Sequence, residues 1–230
     1  MMKKIKLTIK NITPIIKLAL PLITTLIAQI GMEITDTIMI GQIGVIHLSA
    51  MAIIGTSYTT IIVLCIGILT SVGVLTSHEI ENKNIDQHLF NGIYLSLFLS
   101  IPTIILIYYT PYILALIGEN QKIIELTETY LYAMIWGLPG FLGFITIKEY
   151  ASAIKYPKFI MFISIIALPI NATLNYLLIY GFFIFEPLWI SGAGYASAIV
   201  DWLMFISLMH IITIKNKKIQ ILFKIKNTLQ

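Results

Sequence analysis

Charge and cysteine are both scarce in this sequence. Charged residues make up 11% of the 230 positions and hydrophobic residues 58%, and the mean hydropathy is +0.91. This balance excludes a soluble domain of the same length and indicates an integral membrane protein. Because Cys65 is the only cysteine, a disulfide framework or a cysteine metal site within the chain is excluded.

Sequence signatures of enzymes and of cleaved leaders are also missing. The four histidines have no metal-ligand spacing such as H-E-x-x-H, and no glycine-rich phosphate loop occurs. We therefore expect no catalytic activity, no cofactor and no dedicated metal centre. No small-residue cleavage site follows the first apolar run, so we expect the first span to be retained.

The apolar runs predict helices that cross a membrane, since a crossing needs about 20 apolar residues. Alternation with a period of two residues is absent, which excludes a transmembrane barrel. We predict an all-α polytopic membrane protein in which residues 1–214 form one transmembrane lobe. The six predicted spans cover residues 13–40, 46–77, 90–117, 123–147, 157–180 and 188–214.

The basic residues predict the orientation of these spans, because cytoplasmic loops retain positive charge. All fifteen basic residues are lysines, and with a cytoplasmic N-terminus only Lys122 falls on the outer side. We therefore predict cytoplasmic N- and C-termini in the inner membrane. Residues 215–230 would form a basic cytoplasmic tail or the start of a linker, and the basic ends indicate topology rather than nucleic-acid binding.

Polar side chains within the spans are the strongest functional signal, because a carboxylate in hydrocarbon is unfavourable unless something binds to it. Asp36 in the first span, Asn171 and Asn175 in the fifth and Ser197 in the sixth fall in the outer half of the bundle. A carboxylate, two amides and a hydroxyl at shared depth predict an oxygen-rich site for a proton, Na⁺ or a cationic group.

Each of these residues has an alternative structural interpretation. Asp36 would be a helix-end residue if the first span stopped early, and the two asparagines would be interhelical hydrogen-bonding groups. Ser197 lies in a run of small residues, 191–198, that is typical of a close-packing surface. Asp201, one turn deeper, has no polar neighbours at its level on the fifth span, so we rank it below Asp36.

Other positions predict a substrate path and points of bending. Glu33 lies three residues before Asp36, so we expect both acids within the first span on a shared face. Trp136 in the fourth span is predicted either to line a cavity or to pack in the bundle. Pro21 interrupts the hydrogen-bond ladder of the first span and predicts a hinge, and Pro139 predicts a bend in the fourth.

Several stretches resemble the multidrug and toxic compound extrusion (MATE) family of cation-coupled exporters. Three of them match the first helix of that family: Leu18–Leu22, Ala28–Met32 and Thr35–Gly41. The other three match its fifth and sixth helices: Asn171–Asn175, Tyr180–Gly181 and Gly192–Ile199.

The resemblance implies roles for individual residues. Asp36 falls on an aspartate that takes part in cation or proton binding, and Pro21 on a proline whose bend is linked to that site. The pair Asn171 and Asn175 falls on polar positions that face the same cavity, and Ser197 falls where relatives often carry Thr. Some relatives have an acid where Asn175 stands, which argues against a purely proton-driven mechanism through that position.

The resemblance also implies a partner and a substrate class. Gln29 matches a polar position of the substrate path, so with Glu33 and Trp136 it completes the predicted path. The family has twelve helices in two lobes, whereas six are predicted here. We therefore expect an N-terminal half that exports organic cations against Na⁺ or H⁺ together with a C-terminal lobe or a second copy. The alternatives are an inert truncated remnant and a lipid-linked oligosaccharide flippase-like protein.

Overall fold

The computed structural model describes residues 2–79, 85–182 and 186–215, with side chains described from residue 16 onward. All regular elements in these ranges are helical. They are α1 Met2–Gly41, α2 Val45–His78, α3 Ile85–Leu116, α4 Gln121–Met134, a 3₁₀ turn Ile135–Gly137, α5 Leu138–Ala153, α6 Pro157–Tyr180 and α7 Trp189–Lys215.

The prediction of an all-α polytopic membrane protein is confirmed. Six helical stretches in the described ranges are long and apolar enough to span a membrane. The first helix begins at Met2 rather than at residue 13, because hydropathy marks the part of a helix that crosses hydrocarbon and not the helix itself. Of the predicted basic tail, residues 216–230 lie outside the described residues.

The fourth span is divided by the 3₁₀ turn Ile135–Gly137, two residues before Pro139. The sequence predicted a bend here, and the missing N–H of proline together with adjacent glycines explains why the α-helical hydrogen bonds stop. The Trp202 indole N–H of α7 donates to the carbonyl oxygen of Trp136 at 2.8 Å. A neighbouring helix therefore satisfies a backbone group that the turn releases.

The fourth span is also the centre of the lobe. In its most apolar stretch 67% of residues are buried, against 17–33% for the other five spans. Its inner part, α5, packs between α2, α3 and α7. Because lipid tails are as apolar as leucine, close contact between helices rather than removal from water must hold these spans together.

The helices α1, α6 and α7 pack side by side, with α6 between the other two. The C-terminal ends of α1 and α6 and the N-terminal end of α7 lie at the same end of the bundle, which we name the α1–α2 end. Asp36 lies five residues before the end of α1, roughly 8 Å along the axis, and Asn175 lies at the same distance from the end of α6. This arrangement brings the predicted polar residues to one level.

Candidate functional site

Asp36 is the centre of a polar cluster inside the lobe. Its side chain is 5% exposed, although α1 itself runs along the side of the bundle. The amide nitrogen Nδ2 of Asn175 donates to Asp36 Oδ1 at 2.5 Å, and the Ser197 hydroxyl donates to Asp36 Oδ2 at 2.9 Å. Each carboxylate oxygen thus receives a hydrogen bond from a different helix, which stabilises the charged form away from water.

The two asparagines lie one turn apart on α6, so their side chains share one face. Asn175 Nδ2 also donates to Asn171 Oδ1 at 3.2 Å, and both residues are buried. The remaining amide oxygen, Asn175 Oδ1, is buried with no hydrogen-bond partner among the described residues. An unpartnered buried acceptor beside a carboxylate is an arrangement that a bound cation or a proton donor would satisfy.

The run of small residues on α7 positions Ser197. A Cβ atom at Gly192 would lie 2.5 Å from the carbonyl oxygen of Leu178, and one at Gly194 would lie 2.7 Å from the carbonyl oxygen of Tyr130. The backbone of α7 therefore lies directly against α6 and α4, as close as backbones can approach. The close-packing interpretation of this run and the contact of Ser197 with Asp36 are both correct, because the first makes the second possible.

Tyr180 joins α1 and α6 where both helices end. Its hydroxyl oxygen lies 2.8 Å from the carbonyl oxygen of Met39 and 2.9 Å from Gln42 Oε1. This contact holds the last turn of α1 against the last turn of α6, one turn beyond Asp36 and Asn175. No sequence pattern indicated this role for Tyr180, since it ends a span in a region rich in aromatic residues.

The charge of Asp36 has no basic counterpart in the part of the chain that the structure describes. The ion pairs there join His88 with Glu79, Lys122 with Glu125 and Lys148 with Glu149. The donors that reach Asp36 are neutral, so the cluster keeps a net negative charge whenever the carboxylate is ionised. A buried negative charge held by neutral donors attracts a cation.

The predicted substrate-path residues do not join this cluster. Glu33 is exposed whereas Asp36 is buried, so the two acids that we expected on a shared face have different surroundings. Three residues turn a helix by about 300°, which leaves Glu33 about 60° away from Asp36. Gln29 is half-buried one turn before Glu33, and Trp136 is 71% exposed. Their role in a substrate path stays a prediction.

Pro21 is buried within α1, which remains helical on both sides of it. The Thr25 hydroxyl donates to the carbonyl oxygen of Pro21 at 3.0 Å. The structure holds α1 in one conformation, so a hinge at Pro21 also stays a prediction.

Two tyrosines complete the polar interior. Tyr130 on α4 is buried, and both Asp36 and Asp201 lie within electrostatic range of its hydroxyl group. Tyr58 on α2 has a buried hydroxyl with no hydrogen-bond partner among the described residues. The sequence offered no signal for Tyr58, because a single tyrosine in a span has no pattern around it.

Comparison with known proteins matches residues 21–177 to the family model described as MatE. Among curated proteins, the chain is similar to the multidrug resistance protein NorM of Aliivibrio fischeri, with 30% identity over 86% of this chain and 44% of that protein. NorM of Vibrio cholerae is also 30% identical, over 90% of this chain and 46% of that protein. The chain thus spans about half the length of the curated relatives it matches.

Solved structures give the same picture of the fold. The crystal structure of the eukaryotic MATE transporter AtDTX14 has a TM-score of 0.78 at 21% identity, covering 86% of this chain and 44% of that one. The Vibrio cholerae MATE transporter VcmN in its bent form has a TM-score of 0.78 at 16% identity, covering 86% and 45%. At these identities the likeness shows the fold alone, and it covers slightly less than half of each solved chain.

Proposed function

This chain belongs to the MatE family, the multidrug and toxic compound extrusion transporters, and we propose that it forms the N-terminal lobe of a cation-coupled antiporter that exports organic cations. Curated relatives carry the name multidrug resistance protein, and the family consists of transporters rather than enzymes. In the proposed cycle, Na⁺ or H⁺ enters the cell through the lobe while a cationic drug leaves. The proposed location is the inner membrane, with both termini in the cytoplasm.

The observation that carries this proposal is the Asp36 carboxylate, buried among neutral donors from two other helices. Such a carboxylate has two favourable states: protonated, or neutralised by a bound cation. The oxygen atoms of Asn171, Asn175 and Ser197 are the ligand type that hard cations prefer, and Asn175 Oδ1 lacks any other partner among the described residues. The cluster therefore supports exchange of an ion with the surrounding water.

Alternating access in two-lobe transporters requires one lobe to move against the other around a central site. We propose that this chain works with a second lobe of matching size, either a C-terminal half or a second copy of itself. The half-buried Gln29 and the exposed Glu33 and Trp136 are then free to face the substrate in the space between the lobes. Aromatic and acidic side chains together suit a cationic aromatic substrate.

Ion binding at Asp36 is testable on the purified chain without transport. A ligand present at 100 times its dissociation constant stabilises a protein by about 2.7 kcal/mol. Na⁺ in place of choline, or a lower pH, should therefore raise the unfolding temperature of the wild type more than that of Asp36→Asn.

Asp86→Asn is the matched control for this measurement. Asp86 is also a buried acid, 2% exposed, and it accepts a hydrogen bond from the Tyr150 hydroxyl at 2.7 Å outside the Asp36 cluster. The control should respond to Na⁺ and pH as the wild type does. Identical responses of wild type and Asp36→Asn to both ions would overturn the proposal and favour an inert remnant.

A further inference from the structure

A second acid lies deeper in the lobe than the Asp36 cluster. Asp201 is 8% exposed and lies near the middle of α7, roughly 18 Å from its start at Trp189 and 21 Å from its end at Lys215. An ionised acid at the centre of a membrane helix costs about 2.5–3.5 kcal/mol on insertion scales. An unpaired anion at Asp201 is thus unfavourable, and the groups around Asp201 determine whether it is ionised or protonated.

Those surroundings differ from the surroundings of Asp36. The Asp36 carboxylate receives hydrogen bonds from Asn175 and Ser197, whereas the described residues give Asp201 no hydrogen bond and no ion pair. The 3₁₀ turn closes one side, since a Cβ atom at Gly137 would lie 3.2 Å from Asp201 Oδ2. Without donors, the neutral carboxylic acid is the form that this place accommodates.

The titratable groups within electrostatic range of Asp201 on the packed helices are Asp36 on α1, Tyr58 on α2 and Tyr130 on α4. None of these groups is basic. The Tyr58 hydroxyl is itself buried and without a hydrogen-bond partner among the described residues, so it does not stabilise an anion at Asp201 by donating a hydrogen bond to it. Asp201 also lies one turn from Ser197 on the same helix, which connects the two acids through one element.

We propose that Asp201 is a second ion site of this lobe, a carboxylic acid that carries a proton while Asp36 is ionised. Two acids within electrostatic range of each other titrate as a pair, because two neighbouring anions repel and one retained proton relieves that repulsion. In the exchange step the proton leaves the Asp201 hydroxyl and bonds to a carboxylate oxygen of Asp36, which leaves Asp201 as the anion and Asp36 as the acid. The role of this step in coupling rests on the proposed transport function, but the proton on Asp201 does not.

The chain contains three aspartates, Asp36, Asp86 and Asp201, which makes a direct test possible. The protein is produced with aspartate labelled by ¹³C at the side-chain carboxyl carbon, and the C=O stretch of a protonated carboxylic acid is recorded by infrared spectroscopy at neutral pH. We expect an isotope-shifted band in the wild type that is lost in Asp201→Asn. The band should persist in the double variant Asp36→Asn/Asp86→Asn, where Asp201 is the only aspartate.

The double variant keeps the test valid even if Asp201→Asn fails to fold. Absence of the labelled band from the folded double variant, or its loss from Asp36→Asn alone, would overturn the proposal. Failure of the proposed function is a separate result, because it is measured as ion-dependent unfolding of Asp36→Asn. A labelled band on Asp201 in a protein that binds no ion at Asp36 would support the proton site and reject the exporter mechanism.

Discussion

The hydroxyl of Ser197 on α7 donates a hydrogen bond to Oδ2 of Asp36 on α1 at 2.9 Å. Both helices pack mainly against α6 and touch each other little, so this bond joins elements that have few other contacts. If Asp36 binds an ion as proposed, that ion would act on the distance between α1 and α7 as well as on the charge of one residue. The bond would then connect ion binding to the arrangement of the helices.

Replacement of Asp36 by Asn in a complete two-lobe assembly should abolish ion-coupled efflux. The amide keeps the size of the side chain but removes the charge that neutral donors hold inside the lobe. The measurement is the rate at which ethidium leaves loaded cells after a Na⁺ or pH gradient is imposed, with membrane insertion checked by immunoblotting. Efflux by Asp36→Asn at the wild-type rate would remove Asp36 from the mechanism, and Asp86→Asn should retain that rate.

Ser197→Ala should weaken ion binding with little effect on folding. Interhelical hydrogen bonds in membranes contribute about 0.6 kcal/mol on average, so the thermal stability should fall only slightly. Ion-dependent stabilisation should fall more, because one of the two donors to Asp36 is lost, and Ser197→Thr should restore it. Ser191→Ala is the matched control, since the Ser191 hydroxyl donates within its own chain segment to Leu188 at 2.7 Å. Equal effects of both alanine variants would contradict a specific role for Ser197.

Gly192→Ala should destabilise the lobe because the added carbon would lie 2.5 Å from the carbonyl oxygen of Leu178. Overpacking of this kind costs about 1–3 kcal/mol, and backbone cannot move away as a flexible side chain does. Gly67 on α2 has no atom within 4 Å of an added Cβ, so Gly67→Ala should be neutral or slightly stabilising. Unfolding temperatures of the two variants measure the difference, and equal temperatures would contradict close packing of α7 on α6.

The predicted orientation can be tested with two lysines that are both exposed at helix ends. Lys122 belongs to the α1–α2 end of the bundle and Lys158 to the opposite end. In a Cys65→Ser background, a membrane-impermeant maleimide should label Lys122→Cys in intact bacterial cells. It should label Lys158→Cys only after the cells are permeabilised, because the lysine distribution predicts a cytoplasmic N-terminus. The reverse pattern would invert the predicted topology.

The sequence predicts the depth of a residue in this fold better than its direction. Depth follows from counting 1.5 Å per residue along each apolar run, which placed Asp36, Asn175 and Ser197 in the outer half of the bundle. Whether a side chain points into the bundle or toward lipid depends on which helices are neighbours. Six spans can be arranged in many ways, so the sequence does not decide this. Glu33 shows the limit: it has nearly the depth of Asp36, but its side chain is exposed.

Features that depend on neighbouring residues in the chain were predictable, whereas contacts between distant residues were not. The bend near Pro139 was predictable because proline lacks the donor that an α-helix needs at that position. The contact of Tyr180 with the end of α1 was not, since Tyr180 and Met39 are 141 residues apart. The lack of donors at Asp201 was predictable only in part. The sequence shows that the fifth span has no polar residue at that level, but it does not show that the backbone of the 3₁₀ turn packs against Asp201.

The 3₁₀ turn Ile135–Gly137 divides the fourth span, the most buried of the six, into two helices, α4 and α5. An unbroken helix of that length has one axis, whereas a tight turn lets the helices before and after it have axes with different tilts. The bond from the Trp202 indole to the Trp136 carbonyl sets the angle between them. The two parts of this span can therefore have different tilts, with α5 packed among α2, α3 and α7 whatever the tilt of α4.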